Sequence, residues 1–201
     1  YTMRKIRGQT LADAMAGQDL MGRLRLLPRF IDICQTMAYA HAHQVIHRDL
    51  KPENIMLGPF GEALVLDWGL AKRLDRPELE SSVPQVAGDL VMASGQGAYE
   101  TVEGVIIGTP AYMPPEQARG ELGQIDTRSD VYTLGAMLYE LLTGQTPFEA
   151  TSAIAMAMKV TREPVSPPRK IEPSVPKELE AVVMRALQKA PADRYPDAAA
   201  F

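Results

Sequence analysis

The sequence is poor in cysteine, in aromatic residues and in long apolar runs, and its charge is nearly balanced. A single cysteine, Cys34, excludes an intrachain disulfide, so we expect a reducing compartment. No stretch reaches the roughly 18 apolar residues that a membrane span needs, and no signal peptide is visible. The 21 basic and 25 acidic residues give a net charge of −4, and the basic residues are scattered. We therefore expect no nucleic-acid partner, no membrane contact from this segment and a cytoplasmic location.

Helical periodicity dominates the rest of the chain. Apolar residues repeat with helical spacing in four stretches, 28–43, 127–144, 151–161 and 176–190. The stretch 127–144 is apolar nearly all round, which is typical of a helix buried inside a helical domain. Two short apolar runs at 54–58 and 63–67, joined by Pro-Phe-Gly-Glu, predict a β-hairpin. The expected fold class is therefore mainly α, a helical lobe with a small β element at residues 45–67.

Local signals predict where several elements begin and end. Thr127 and Asp130 have the spacing of a capping pair at the start of the longest apolar helix, and Gly144 predicts its end. "RLRLLPR" at 23–29 is interpreted as the solvent-exposed face of a helix. Residues 72–108 lack periodicity, so they predict a long loop, and loops of that length in compact domains are usually functional or disordered.

The stretch "HRDLKPEN" at 47–54 places four charged side chains between two apolar runs. Asn54 of this motif and Asp67, 13 residues later, offer the hard oxygen ligands that Mg²⁺ accepts one or two at a time. Lys51 is a point charge suited to a phosphate oxygen. Asp49 is a carboxylate able to orient a hydroxyl proton. Together the four residues favour phosphoryl transfer, in which catalysis is mostly positioning and charge neutralisation. A solvated charged turn explains any one of them but not the whole set.

Several motifs of the chain together resemble those of a known protein family. Five motifs occur in order, and they resemble the large lobe of a eukaryotic-like protein kinase, most closely the bacterial serine/threonine kinases of the PknB type. These motifs are "HRDLKPEN", "LDWGLAK", "GTPAYMPPEQA", "SDVYTLGAMLYELLTGQTPF" and "DRY". The resemblance covers the whole chain, and it implies a protein-kinase-like fold and the transfer of the γ-phosphoryl group of ATP to proteins.

The resemblance implies a role for each residue of the charged set. Asp49 would be the catalytic base and Lys51 would contact the γ-phosphate. Asn54 and Asp67 would hold Mg²⁺, with Mn²⁺ as an alternative metal. Thr109 would bond to Asp49 and Lys51 in the substrate-binding loop. A Lys two residues after the catalytic Asp, together with that Thr, implies Ser or Thr rather than Tyr as the acceptor.

The resemblance also implies how the nucleotide is held. Met56 would lie under the adenine, Ile6 would offer hinge backbone groups to it, and Met3 would be the gatekeeper. The family's Asp-Phe-Gly is Asp-Trp-Gly here. Trp68 leaves the metal ligand intact, and its larger ring is expected to restrict movement of this segment.

Structural and regulatory roles follow from the same resemblance. Glu116 and Arg194 would form a buried ion pair, and Asp130 would brace the backbone at the start of the charged motif. Arg48 would pair with a phosphate in the activation segment. Thr101 is the candidate phosphorylation switch, and an unmodified loop threonine remains an equal alternative.

The resemblance divides the chain into residues 1–8, the hinge and the end of a small-lobe strand, and 9–201, the large lobe with an activation segment at 67–116. Both ends look truncated. No glycine-rich loop, strand lysine or helix glutamate of a small lobe is present among the 201 residues. We expect little catalysis and weak nucleotide affinity from this piece alone, and the parent protein could carry a membrane anchor.

Three functions compete. The first is a Ser/Thr protein kinase whose partners are ATP and protein substrates. A second copy of the kinase domain is a further possible partner, in a dimer whose two copies phosphorylate each other. The second is a non-catalytic, pseudokinase-like scaffold, against which the intact Asp49, Lys51, Asn54 and Asp67 argue. The third is a small-molecule kinase, which the peptide-binding segment "GTPAYMPPEQA" disfavours.

Overall fold

We describe the fold from a computed structural model, in which residues 8–75 and 110–201 are described. Met3, Ile6, Thr101 and Thr109 lie outside these residues, as does most of the predicted loop 72–108. The described helices are α1 (Leu11–Met15), α2 (Leu20–Leu24), α3 (Leu27–Ala42), α4 (Pro115–Ala118), α5 (Thr127–Thr143), α6 (Ala153–Arg162), α7 (Pro168–Ile171) and α8 (Lys177–Ala186). The described strands are β1 (Gln9–Thr10), β2 (Val45–Ile46), β3 (Ile55–Leu57), β4 (Ala63–Val65) and β5 (Lys72–Arg73). The predicted mainly α fold is confirmed.

Helix α5 is the centre of the core, as its apolar sequence predicts. Its side chains are buried from Ser129 to Tyr139 and again at Leu141 and Leu142, and α2, α3, α7 and α8 all pack against it. Gly144 ends the helix in a left-handed conformation, φ 78°, which the absence of a Cβ permits.

The start of α5 differs from the prediction. The capping residue is Asp126 rather than Thr127, because the Asp126 carboxylate accepts the Arg128 N–H at 2.8 Å. Ser129, the third residue of the helix, makes the reciprocal hydrogen bond of a capping box, because its hydroxyl accepts the Asp126 N–H at 3.4 Å. Asp ranks above Thr as an N-cap residue, which is consistent with the one-residue shift. The shift leaves Asp130 available for a contact outside the helix.

The β element is wider than predicted. Strands β1, β3 and β4 form a three-stranded antiparallel sheet, and the expected hairpin pairs Ile55 with Val65 and Leu57 with Ala63. β2 pairs antiparallel with β5, which places Lys72 and Arg73 in a strand instead of the predicted loop. Two-residue strands leave too short a pattern to be recognised from the sequence alone.

Arg23 contradicts the interpretation of residues 23–29 as a wet helical face. It is 8% exposed, and its guanidinium donates to the carbonyls of Leu141 at 2.8 Å and Leu142 at 3.3 Å. These carbonyls belong to the last turn of α5, where a helix has free acceptors and a partial negative charge. Arg23 therefore closes the end of the central helix.

Among the described helices, none combines the length and the apolar character required to cross a bilayer.

The single thiol of the chain, Cys34, packs against the core. Burial raises the pKa of this thiol to about 12, while a backbone hydrogen bond lowers it. A thiol with so high a pKa is not a nucleophile at neutral pH, in agreement with its interpretation as a core residue.

Candidate active site

Asp130 holds the backbone that leads into the charged motif. Its Oδ1 atom accepts the Arg48 N–H at 3.0 Å, and its Oδ2 atom accepts the His47 N–H at 2.9 Å. Asp130 is 1% exposed and lies in the first turn of α5, so the central helix positions this loop. Arg48 has a left-handed backbone conformation, φ 73°, which is costly for a residue with a side chain. The geometry is the one that a bracing role for Asp130 requires.

Asp49, Lys51 and Asn54 come together in one cluster. The Lys51 Nζ atom donates to Asp49 Oδ2 at 3.1 Å, and the two side chains are 18% and 21% exposed. The Asn54 amide nitrogen donates to the Asp49 carbonyl at 2.9 Å and to the Asp49 carboxylate at 3.3 Å. The Asp49 carboxylate is therefore held by two donors at the edge of solvent, where a substrate hydroxyl can still reach it.

Asp67 is brought next to this cluster by the hairpin. The Leu66 N–H donates to the Asn54 carbonyl at 2.8 Å, so the end of β4 lies beside the turn that begins β3. Asp67 follows directly, with an exposed side chain and a left-handed backbone, φ 59°. Two residues 13 positions apart in the sequence thus become neighbours through strand pairing.

His47 and Trp68 connect the segment of Asp49 with the segment of Asp67 through hydrogen bonds and a contact between their rings. His47 is fully buried, and its Nδ1 atom accepts the Asp49 N–H at 3.3 Å while its Nε2 atom contacts the Leu66 carbonyl at 2.9 Å. The Trp68 ring lies 4.7 Å from the His47 ring, and its indole N–H donates to the Val65 carbonyl at 3.0 Å. These contacts fix the positions of Asp49 and Asp67 relative to each other.

The donor set fits a magnesium ion that phosphate oxygens also coordinate. Because the Asn54 amide nitrogen is engaged with Asp49, its oxygen is left for a cation, and Asp67 supplies an exposed carboxylate. Within residues 8–75 and 110–201 there is no group of three or more His, Cys, Asp and Glu side chains able to hold a metal by themselves. Mg²⁺ commonly binds one or two protein oxygens and completes its shell with water and phosphate.

Glu116 and Arg194 form a buried pair that joins α4 to the segment after α8. The guanidinium donates from both terminal nitrogens to the two carboxylate oxygens at 2.8 Å, and neither side chain is exposed. Burial alone would raise the pKa of Glu116, but hydrogen bonds and charge from Arg194, with a bond from Ser129 at 2.6 Å, leave it below its ordinary value. Glu116 is therefore ionised at neutral pH.

Glu140 of α5 is an acidic group near the charged motif that the sequence patterns did not predict. The Tyr112 hydroxyl donates to Glu140 Oε2 at 2.5 Å, and Glu53 of the charged motif acts on both through its charge. Burial raises the pKa of Glu140 and is the main cause of its shift; the hydrogen bond from Tyr112 lowers this pKa, and the charge of Glu53 raises it. Glu140 is the one acidic residue in the apolar stretch 131–143, and it was the available signal, because such a residue needs a polar partner.

The candidate residues of the site therefore fall into two groups. The structure brings Asp49, Lys51, Asn54 and Asp67 together, with Asp130 and Arg48 behind them. Met56 lies on β3 opposite Thr10, and its sulfur lies near Gly8, where a Cβ would come within 3.2 Å of it. The positions of Met3, Ile6, Thr101 and Thr109 lie outside the described residues, and their roles stay predictions.

The fold and this site define a class of protein. The family model described as "Protein kinase domain" matches residues 3–200, and the chain belongs to the protein kinase family. Three of the curated proteins that the chain is similar to are bacterial serine/threonine kinases by name. The serine/threonine-protein kinase PknB of Mycolicibacterium smegmatis is 39% identical over 197 residues, and PknB of Mycobacterium tuberculosis is 36% identical over 197 residues. A probable serine/threonine-protein kinase of Streptomyces coelicolor is 37% identical over 197 residues.

These alignments confirm the predicted family and its PknB-type relatives. Each covers 98% of this chain but 28%, 28% and 26% of the three relatives, respectively. The chain thus spans little more than a quarter of the length of the curated relatives it matches.

Proposed function

We propose that the chain forms the large lobe of an ATP- and Mg²⁺-dependent serine/threonine protein kinase. The observation that carries this proposal is the Asp49 carboxylate, held by Lys51 at 3.1 Å and by Asn54 at 3.3 Å beside the segment that bears Asp67. A carboxylate, a phosphate-binding cation and two metal ligands are the groups that phosphoryl transfer to a hydroxyl requires.

In this mechanism Asp49 orients the acceptor hydroxyl and receives its proton. The hydroxyl oxygen forms a bond to the γ-phosphorus of ATP, the bond from that phosphorus to the β-γ bridging oxygen breaks, and ADP leaves. Lys51 neutralises charge on the transferred phosphoryl group. Asn54 and Asp67 would hold Mg²⁺, which neutralises the β- and γ-phosphate oxygens when it is bound.

A complete kinase also needs a glycine-rich loop, a strand lysine and a helix glutamate. We propose that these groups are supplied outside the 201 residues, by a small lobe that packs on the side of β1, β3 and Met56. Residues 1–201 alone are then expected to show little turnover, and the complete gene product is expected to show robust turnover.

The test is transfer of labelled γ-phosphate from ATP to a Ser/Thr peptide mixture by the complete gene product. Asp49→Asn is expected to lower turnover about 100-fold or more, because the proton acceptor is lost. Glu178→Gln, which makes the same chemical change on the exposed face of α8, is the matched control and is expected to keep full activity. Activity of Asp49→Asn close to that of the parent would refute the base assignment. An inactive parent that still binds partner proteins would favour the scaffold alternative.

We further propose that phosphorylation of Thr101, in one copy by another, switches the enzyme on. The support is the position of Arg48, whose backbone is held directly before Asp49 by Asp130. A phosphate paired with that guanidinium would be coupled to the catalytic loop. If Thr101→Ala changed neither autophosphorylation nor substrate turnover, this part of the proposal would be wrong.

A further inference from the structure

A stripe of polar side chains runs along one side of α5, a helix that is mostly apolar and buried. Ser129, Thr133 and Glu140 belong to it, and their spacing places them within about 40° of one another around the helix axis. Each of them is hydrogen-bonded to the segment 110–116. Since a buried polar group is costly without a partner, the stripe indicates that this side of the central helix holds that segment.

Thr133 bonds to the main chain of the segment rather than to a side chain. It is 6% exposed, and its hydroxyl donates to the Tyr112 carbonyl at 3.1 Å. The Ser129 carbonyl, one turn earlier in α5, lies at 3.3 Å and is the usual acceptor for a threonine hydroxyl inside a helix. A hydroxyl has one proton, and the Tyr112 carbonyl is the nearer acceptor. Thr133 therefore joins the central helix to the backbone of the segment.

Helix α5 holds Tyr112 at both ends. Thr133 binds its carbonyl, and Glu140 accepts its hydroxyl at 2.5 Å. Burial, the hydrogen bond to Glu140 and the charges of Glu140 and Glu53 all raise the pKa of this hydroxyl. Glu53 belongs to the charged motif and lies four positions after Asp49. The segment 110–116 thus borders the candidate active site, in a position that α5 fixes.

This position is suited to an acceptor peptide. A serine or threonine that reaches Asp49 brings its flanking residues across the surface beside the charged motif, and the segment of Tyr112 borders that surface. The groups assigned to the metal and the γ-phosphate, Asn54, Asp67 and Lys51, lie on other segments. A shift of the segment 110–116 is therefore expected to disturb the peptide more than the nucleotide.

We infer that Thr133 is a positioning residue for the acceptor peptide, acting through the main chain of Tyr112. Without the hydroxyl, the Tyr112 carbonyl loses its bond to α5. The segment then moves to find another donor, because a buried carbonyl needs a partner. This inference rests on the proposed function, since it assigns a role in binding the substrate of that reaction.

Substitutions of Thr133 in the complete gene product separate its hydroxyl from its packing. Thr133→Val keeps the shape and the branch at Cβ but removes the hydroxyl. Thr133→Ser keeps the hydroxyl and loses a methyl group. Thr133→Ala also lacks the hydroxyl and is measured in parallel, so that the result does not depend on the folding of one variant.

Thr161→Val is the matched control, because it makes the same chemical change where the hydroxyl serves only its own helix. The Thr161 hydroxyl donates to the carbonyls of Ala157 at 2.7 Å and Met158 at 3.0 Å, both in α6.

We expect Thr133→Val and Thr133→Ala to raise the KM for peptide about fivefold or more, and to change kcat and the KM for ATP less than about twofold. Thr133→Ser is expected to keep the KM for peptide within about twofold of the parent's, since its hydroxyl can still donate. Thr161→Val is expected to leave all three constants unchanged. An unchanged peptide KM without the hydroxyl would overturn the inference. Equal rises in Thr133→Ser and Thr133→Val would also overturn it, as would an equal rise of the KM for ATP.

Amide hydrogen exchange tests the displacement of the segment without using turnover. The Met113 N–H donates to the Pro110 carbonyl at 3.3 Å, closing the short turn that ends at Tyr112. Its exchange is expected to be faster in Thr133→Val and Thr133→Ala, and close to the parent's in Thr133→Ser and Thr161→Val. Unchanged exchange in both variants that lack the hydroxyl would overturn the inference. A parent without kinase activity would refute the proposed function alone, because the exchange data would still show whether Thr133 holds the segment.

Discussion

Glu116 and Arg194 are joined by two parallel hydrogen bonds of 2.8 Å, and neither side chain is exposed to solvent. The remaining guanidinium contacts go to the backbone carbonyls of Gln188, Arg128 and Lys189. The pair thus links α4 to the start of α5 and to the segment after α8.

Breaking this pair is expected to be costly. Glu116→Gln or Arg194→Met leaves one charge buried without its partner, and such a change commonly lowers the free energy of unfolding by about 3–5 kcal/mol. Chemical denaturation monitored by circular dichroism measures the loss. Arg185→Met removes an exposed arginine of α8 and is expected to cost much less. A loss below about 1 kcal/mol for Arg194→Met would contradict the assigned weight of the pair.

The pair also predicts a dependence of stability on pH. The pKa of Glu116 in the folded state is below its ordinary value of 4.5, the net result of burial opposed by Arg194 and Ser129. The stabilisation is therefore fully present above pH 4.5 and is lost as the pH falls through the lower, folded-state pKa. Unfolding measured from pH 7 to pH 3 should show a difference between the parent and Glu116→Gln that shrinks below pH 4.5. A constant difference would contradict the prediction.

Arg23 is expected to be a structural residue despite its polar sequence context. Arg23→Met removes the donors to Leu141 and Leu142 and leaves buried carbonyls unpaired. Each such loss of a charged donor costs about 1.5–3 kcal/mol. Arg25→Met, two residues away on the exposed side, is the matched control and is expected to change stability by less than about 0.5 kcal/mol. Equal effects of the two substitutions would restore the interpretation of an exposed face.

Trp68 offers an optical test of the metal site. It is the single tryptophan of the chain and follows Asp67 directly, with its indole N–H bonded to Val65. We expect Mg²⁺ with ATP to change its fluorescence, obtained as the difference between the complete gene product and Trp68→Phe. The change should be absent when EDTA removes the metal, and absent in Asp67→Asn. A full change in Asp67→Asn would mean that Asp67 does not hold the metal.

Much of the fold follows from patterns that a few neighbouring residues carry. The burial of α5 is visible because its apolar residues go all round the helix, and the hairpin of β3 and β4 is visible because a turn joins two apolar runs. The N-cap of α5 was displaced by one residue because Asp126, Thr127 and Ser129 all have capping side chains. Strands β1 and β5 were missed because two residues make no period.

The residues of the charged motif determine by themselves which chemistry this protein is suited to. Asp49, Lys51 and Asn54 lie within six positions, so local geometry keeps them close. The tertiary structure decided what supports them, since His41 reaches Asp130 across 89 positions and Arg23 reaches Leu141 across 118. In the sequence, His41 looks like part of an apolar helix face, and Arg23 looks like part of a solvent-exposed helix face. The physical reason is that a buried polar side chain is recognised by its partner, and only packing brings that partner within hydrogen-bonding distance.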